Sequence, residues 1–212
     1  MFIHSLDNSL LELKNCLSAT NLIKWNLCPL ITALNEKFHN LILEILNLKG
    51  VEVEIDNHCS CFWLSKSKAS EITYVVPDEV ELRQLETEEA KLINSEWPYR
   101  YTGSEGFIAS LINLNGGYGI YLKQTNELVS WILLIECFGL GLLQTIEKYQ
   151  GNGYARILIR ALSIKISCNY NEDVILFASH SKPKTVELYL RNGFLRASNV
   201  HWISVQNKII SH

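Results

Sequence analysis

Proline and methionine are scarce in this 212-residue chain, at 4 and 1, and no apolar run reaches the roughly 20 residues of a membrane-spanning helix. Neither sign of charge dominates, since 19 Lys and Arg against 22 Asp and Glu leave a net charge of -3. The long-range field that nucleic acid or an anionic membrane surface requires is therefore missing, and neither partner is expected, nor is membrane insertion. The opening MFIHSLDNSL lacks the basic start and apolar core of a secretory signal and the Arg-rich pattern of a transit peptide. The six cysteines are then expected as reduced thiols, in a cytoplasmic or mitochondrial setting. Their densest group, HCSC at His58–Cys61, has no second paired cluster of the kind that completes a zinc site, so no metal is expected.

What is present is a mixed α/β pattern. The first stretch reads as helices interrupted at WNLCPL, and FHNLILEILNLKG as a helix stopped by Gly50. In VEVEIDN, Val51, Val53 and Ile55 alternate with acids as in a strand. CFWLSK and EITYVV read as further strands around a polar SKSKAS turn. Pro77 and Asp78 mark a boundary, giving a segment 1–77 and a domain 78–212. VELRQL reads as a strand, and TEEAKLINSEW as a helix with Thr87 as N-cap and Pro98 as its stop. SEGFIASLINLN reads as a second helix, followed by strands in YGIYLK, ELVSWILLI and LGLLQTI.

A glycine turn, YQGNGYA, follows the last of these strands and opens a helix whose Ala155, Leu158, Ile159, Leu162 and Ile166 share one face. A turn placed there aims several unpaired N–H groups at one point, backed by the positive end of the helix dipole. Gly151 and Gly153 admit an anion close to the main chain. Arg156 in the first helical turn is poorly placed for the dipole alone; it fits either a bound anion or an ion pair with Glu147. Arg156 also occupies the place where a dinucleotide fingerprint needs a third small residue, and the G-K-[ST] of a P-loop is absent. Beyond the turn come a buried strand VILFAS, a helix KTVELYLRNG and strands near Phe194 and in VHWISV.

QGNGYA at Gln150–Ala155 resembles the Q/R-x-x-G-x-G/A loop of the Gcn5-related N-acetyltransferase (GNAT) superfamily, and LYLRNGF at Leu188–Phe194 resembles its later helix-to-strand signature. Together INSEWPYRYTGS, ELVSWIL and YLRNGF are similar to the glycine N-acyltransferase-like branch, whose C-terminal domain includes an FR47-like region. The likeness spans roughly Val80 to Val205, and the N-terminal segment looks like a shortened version of that branch's first domain. The fold this implies is a mixed central sheet flanked by helices.

The resemblance implies an acyl-CoA N-acyltransferase using acetyl-CoA or another acyl-CoA as co-substrate, with glycine or another small amino acid as acceptor. Main-chain groups of Leu143, Gln144 and Thr145 would pair with the pantetheine arm. The amides of Gln150, Gly151, Asn152, Gly153, Tyr154 and Ala155 would hold the diphosphate, and an N–H near Leu143 would polarise the thioester carbonyl. Tyr189 matches the proton donor to the departing thiolate. The acidic position of the branch's general base falls on Leu140, so the base is left to Glu136, to His180 or to a water relay. Trp97, Tyr99 and Tyr101 stand where the superfamily walls its acceptor site. Two other readings stay open: transfer to a polyamine or protein amine, and acyl-CoA binding with little turnover.

Overall fold

The computed structural model describes residues 1–207 as a mixed α/β chain of eight strands and seven α-helices. The strands are β1 (Ile31–Asn35), β2 (Val51–Leu64), β3 (Val80–Gln84), β4 (Gly117–Leu122), β5 (Leu128–Leu134), β6 (Leu140–Thr145), β7 (Val174–Ser179) and β8 (Leu195–Asn207). The helices are α1 (Leu11–Ala19), α2 (His39–Leu48), α3 (Lys66–Ser70), α4 (Ala90–Glu96), α5 (Ser104–Leu114), α6 (Tyr154–Lys165) and α7 (Pro183–Arg191). Two compact units share this chain without following it consecutively. The smaller takes Met1–Cys61, Ala178–Val186 and the chain from Arg196 onward; the larger takes Phe62–Phe177 and Glu187–Leu195.

In the larger unit the strand order is β7-β6-β5-β4-β3. Strands β3 to β6 form an antiparallel meander, with Leu82 opposite Ile120 and Gly119 opposite Trp131. β6 and β7 are parallel and are joined through α6, the crossover that parallel neighbours require. All seven residues of β5 are buried, as befits a central strand covered on both faces. Its Trp131 and Leu133 pack with Ile93 of α4 and Ile108 and Leu111 of α5.

In the smaller unit the order is β1-β8-β2. Leu34 stands opposite His201 in the antiparallel β1–β8 pair, after a register shift at whose centre Ala33 takes a left-handed φ of 50°. That irregularity hides the alternation of ITALN, which is why β1 reads as part of a helical stretch in the sequence. Leu13 and Leu17 of α1 and Ile42, Ile45 and Leu46 of α2 bury their apolar stripes with Ile31 and Ile203.

Several local expectations are corrected. VEVEIDN and CFWL form one continuous strand, and Val53 and Ile55 are exposed rather than core. SKSKAS is a short helix whose Ser65 hydroxyl accepts from Lys68 N–H. EITYVV forms no strand, and Arg160 of α6 donates to its Thr73 carbonyl. The first turn after β3 is capped by Glu86 and Glu89 instead of Thr87, the Glu89 carboxylate accepting from Glu86 N–H at 2.6 Å. No helix is long and apolar enough to cross a membrane among the described residues.

Candidate functional site

The site is assembled in the larger unit at the C-terminal end of β6. A 3-10 turn, Glu147–Tyr149, leads from the strand to Gln150, which is extended, and then to Gly151 and Gly153 at φ 87° and 80°. Both conformations are left-handed, and a Cβ built on either glycine meets nothing within 4 Å. Glycine is therefore required by backbone conformation, and the space beside the turn is open.

The turn holds its shape through its side chains. Gln150 Nε2 donates to the Thr145 carbonyl at 3.2 Å, and Asn152 Nδ2 to the Tyr149 carbonyl at 3.0 Å. Tyr149 donates its hydroxyl proton to Glu127, which Lys148 also pairs at 3.1 Å. These bonds use carbonyls and leave the amides free. Gln150 N–H is satisfied by the Glu147 carbonyl, but among the described residues no acceptor reaches the N–H of Gly151, Asn152, Gly153, Tyr154 or Ala155. Five consecutive open donors thus face the N-terminus of a 12-residue helix. Arg156 is exposed, and no carboxylate pairs with it among the described residues; the Glu147 ion pair is not formed. Arg160, one turn on, is a structural residue holding Asn192 Oδ1 and the Thr73 carbonyl.

Strand β6 reaches this turn through an irregular path. Its register with β5 shifts between Trp131 and Leu133, and Leu142 takes a left-handed φ of 49° within the shift. That bulge carried no signal in the sequence, leucine being an unusual residue for the conformation. Gly141 to Thr145 are all half-buried, and β6 registers with β7 through Leu140 opposite Leu176. The Ser130 hydroxyl, fully buried on β5, donates to the Gln144 carbonyl at 2.9 Å and pins the end of β6.

Tyr189, on α7, is buried between Phe62 and Phe194, at ring separations of 6.0 and 6.2 Å. Burial pushes its phenol up to about 12, so it keeps its proton at neutral pH. No hydrogen bond engages the hydroxyl among the described residues. The sequence NGF folds back on this helix end, Phe194 N–H donating to the Tyr189 carbonyl at 3.3 Å.

Leu140 is buried at the start of β6. Glu136 is exposed on the turn joining β5 to β6, at the opposite end of the strand from the glycine turn. Trp97 contacts Tyr99 and Tyr101 edge-on, at 6.4 and 6.3 Å, and both tyrosines are exposed. His180 belongs to the smaller unit, where its Nε2 lies 2.7 Å from Ser60 Oγ and its ring 4.1 Å from that of His58. Burial, reinforced by His58 and Arg196, lowers its pKa and favours the neutral ring. His39, Asp56, His58 and His201 lie in the same unit and went unread as a group, because they are spread over three elements.

With this geometry described, comparison with known proteins is informative. Residues 117–203 match the family described as FR47-like protein, and residues 1–45 match a domain of unknown function (DUF5645). No curated protein matches the chain. A Drosophila protein of known crystal structure is 28% identical with a TM-score of 0.87, over 95% of this chain and 68% of that one. An acetyltransferase of the GNAT family from Novosphingobium aromaticivorans is 15% identical with a TM-score of 0.57, over 76% of this chain and 69% of its own. A GCN5-related N-acetyltransferase from Sphaerobacter thermophilus is 11% identical with a TM-score of 0.59, over 84% and 58%. The mixed sheet flanked by helices is thus the fold that these two acetyltransferases have.

Proposed function

We propose that the chain is an acyl-CoA-dependent N-acyltransferase whose acceptor is the amine of glycine or another small amino acid. The observation that carries the reading is the run of unengaged amides from Gly151 to Ala155 beside an unpaired Arg156. Gly151, Asn152 and Gly153 are exposed and open to a ligand, Tyr154 and Ala155 are buried and half-buried, and a diphosphate fits amide donors gathered at a helix N-terminus. Acyl-CoA would supply an activated thioester. The amides of Gly151–Ala155 would hold its diphosphate, with Gln150, whose own N–H is taken by the Glu147 carbonyl, shaping the turn, and the main chain of Leu143, Gln144 and Thr145 would hold its pantetheine arm.

In the transfer, the amine nitrogen bonds to the acyl carbon as the carbon–sulfur bond breaks. The Tyr189 hydroxyl gives its proton to the departing thiolate, and the ammonium loses its proton to a base. His180 and Glu136 are the candidates for that base, separated by the effect of alanine at each on kcat. Trp97, Tyr99 and Tyr101 offer an aromatic wall for the acceptor. A second reading, acyl-CoA binding with little turnover, is favoured by Leu140, which puts a buried side chain without a proton acceptor where the resembled branch has an acid.

The test is release of free thiol from acetyl-CoA and benzoyl-CoA with glycine, other small amino acids, polyamines and a lysine peptide. Release with glycine-like acceptors supports the proposal, release confined to polyamine or peptide moves the acceptor class, and tight CoA binding without release establishes the second reading. Absence of CoA binding overturns both.

A further inference from the structure

Four of the six histidines, His39, His58, His180 and His201, gather in the smaller unit, with ring separations of 3.8, 4.1 and 4.8 Å between neighbours. Imidazole nitrogen is the commonest side-chain metal ligand, and rings gathered this closely can share one cation. From this cluster we propose that Glu36, His58 and His201 form a Zn²⁺ site.

The three residues present ligand atoms that all lie within 4.8 Å of one another. Zinc bonded to imidazole nitrogen and carboxylate oxygen at about 2.0–2.2 Å needs ligand atoms roughly 3.3 Å apart, a closure that small side-chain rotations supply. His58 Nε2 is buried and has no hydrogen-bond partner among the described residues. A buried ring nitrogen without a partner is costly, and a metal ion satisfies it.

The other two ligands are already oriented by their neighbours. Asp56, on β2, sets its carboxylate between the His39 and His201 rings. As a carboxylate it can only accept, so His201 Nδ1–H donates to Asp56 Oδ1 at 2.7 Å and His39 Nε2–H to Oδ2 at 2.6 Å. With Nδ1 turned to Asp56, the His201 ring has Nε2 left to offer a metal. The carboxylate–histidine arrangement is the one that fixes the tautomer and raises the basicity of a metal-bound imidazole. Glu36 is exposed, and its Oε2 accepts from Asn199 Nδ2 at 3.0 Å. Strand parity explains the convergence. Asp56 and His58 project from one face of β2, Asn199 and His201 from one face of β8, and Cys59 and Cys61 from the opposite face of β2. Nitrogen and oxygen donors without a thiolate suit Zn²⁺, with a coordination position left open by a set of three protein ligands.

The site lies in one unit; it meets the acyl-transfer reading only through His180, a base candidate there whose ring touches that of His58 without ligating. Its test is titration of the full chain, first freed of metal, with Zn²⁺ against a chromophoric chelator, paired with Co²⁺ absorption. Binding of about one ion per chain is expected, with tetrahedral Co²⁺ bands and no thiolate charge-transfer band. Glu36→Gln, an exposed replacement, should weaken binding at least tenfold with an unchanged circular dichroism spectrum, and Asp56→Asn should weaken it by about 10–100-fold as a positioning residue. His39→Ala should leave affinity within about threefold, since His39 contacts the cluster without ligating. Absence of stoichiometric binding by the wild-type chain, a thiolate band, or loss in His39→Ala alongside retention in Glu36→Gln each overturns the proposal.

Discussion

Leu140 of β6 stands opposite Leu176 of β7 in parallel register, and no later residue of β6 takes a β7 partner among the described residues. The two strands meet at the start of β6; past the bulge at Leu142, β6 stays paired with β5, where Ser130 holds the Gln144 carbonyl. Downstream, the main chain of Leu143 to Thr145 is half-buried and leads straight to the glycine turn. An extended ligand that adds to a strand edge needs this combination of unpaired backbone and a firmly held strand.

Gly153→Ala should separate conformation from packing. A Cβ there meets nothing within 4 Å, so any loss of stability comes from forcing alanine to φ 80°, about 1–2 kcal/mol. Calorimetry of CoA binding should show affinity falling at least tenfold, because relaxing that φ tilts the Tyr154 and Ala155 amides away from their common point. Unchanged affinity would show that those amides are not the anion cradle.

Arg156→Ala tests the cation beside the turn. The side chain is exposed and unpaired among the described residues, so its removal should leave the unfolding free energy within about 0.5 kcal/mol. CoA affinity should drop by about tenfold, the scale of one hydrogen bond to a charged group, and its dependence on ionic strength should become shallower. Isothermal titration at two salt concentrations reads both effects.

Asp173 ties the turn before β7 to the end of β2 and the start of α3. Its Oδ1 accepts from Lys66 N–H at 2.8 Å and its Oδ2 from Trp63 Nε1 at 2.9 Å. The Lys66 amide, followed by Trp63, lowers the carboxyl below its ordinary 3.8. A lowered folded-state pKa means that the contribution is present above the unfolded value and is lost as pH falls through the folded one. The urea midpoint of the wild-type chain should exceed that of Asp173→Ala at about pH 6, and the gap should narrow as pH falls from about 4 to about 2. A gap independent of pH would assign the loss to packing.

Much of the larger unit was legible because its signals are local. Apolar alternation and polar turns mark β3 to β6, while Gly151, Gly153 and the apolar face of α6 mark the crossover. The glycine turn and the buried position of Tyr189 on α7 follow from short motifs, whose constraints lie within a few residues. What was not legible depends on distant partners. EITYVV has strand-like composition, but Arg160, far along the chain, takes the Thr73 carbonyl. The alternation of Val53 and Ile55 with acids marks a strand but not what its faces meet, and in β2 the acid-bearing face carries Asp56, His58 and the bonds to His39 and His201. A histidine cluster built from β2, β8 and the residues flanking β1 and β7 has no spacing that a single sequence displays. The bulge at Leu142 is equally silent, since it arises from the register with β5 rather than from a glycine.

Tyr189→Phe should isolate proton donation. The hydroxyl makes no hydrogen bond among the described residues, and phenylalanine keeps the contacts with Phe62 and Phe194, so stability and CoA affinity should be nearly unchanged. Thiol release should slow by about 10²–10⁴ if the phenol protonates the thiolate. The wild-type pH profile supplies an independent readout. Burial holds the phenol near 12, so Tyr189 stays protonated well past neutrality and should produce no descending alkaline limb below about pH 10. A limb near pH 8 that disappears in Tyr189→Phe would contradict the raised phenol, whereas one that persists in the variant belongs to another group. An unchanged rate in Tyr189→Phe would remove the tyrosine from the chemistry and leave it as the aromatic that seals α7 against Phe194.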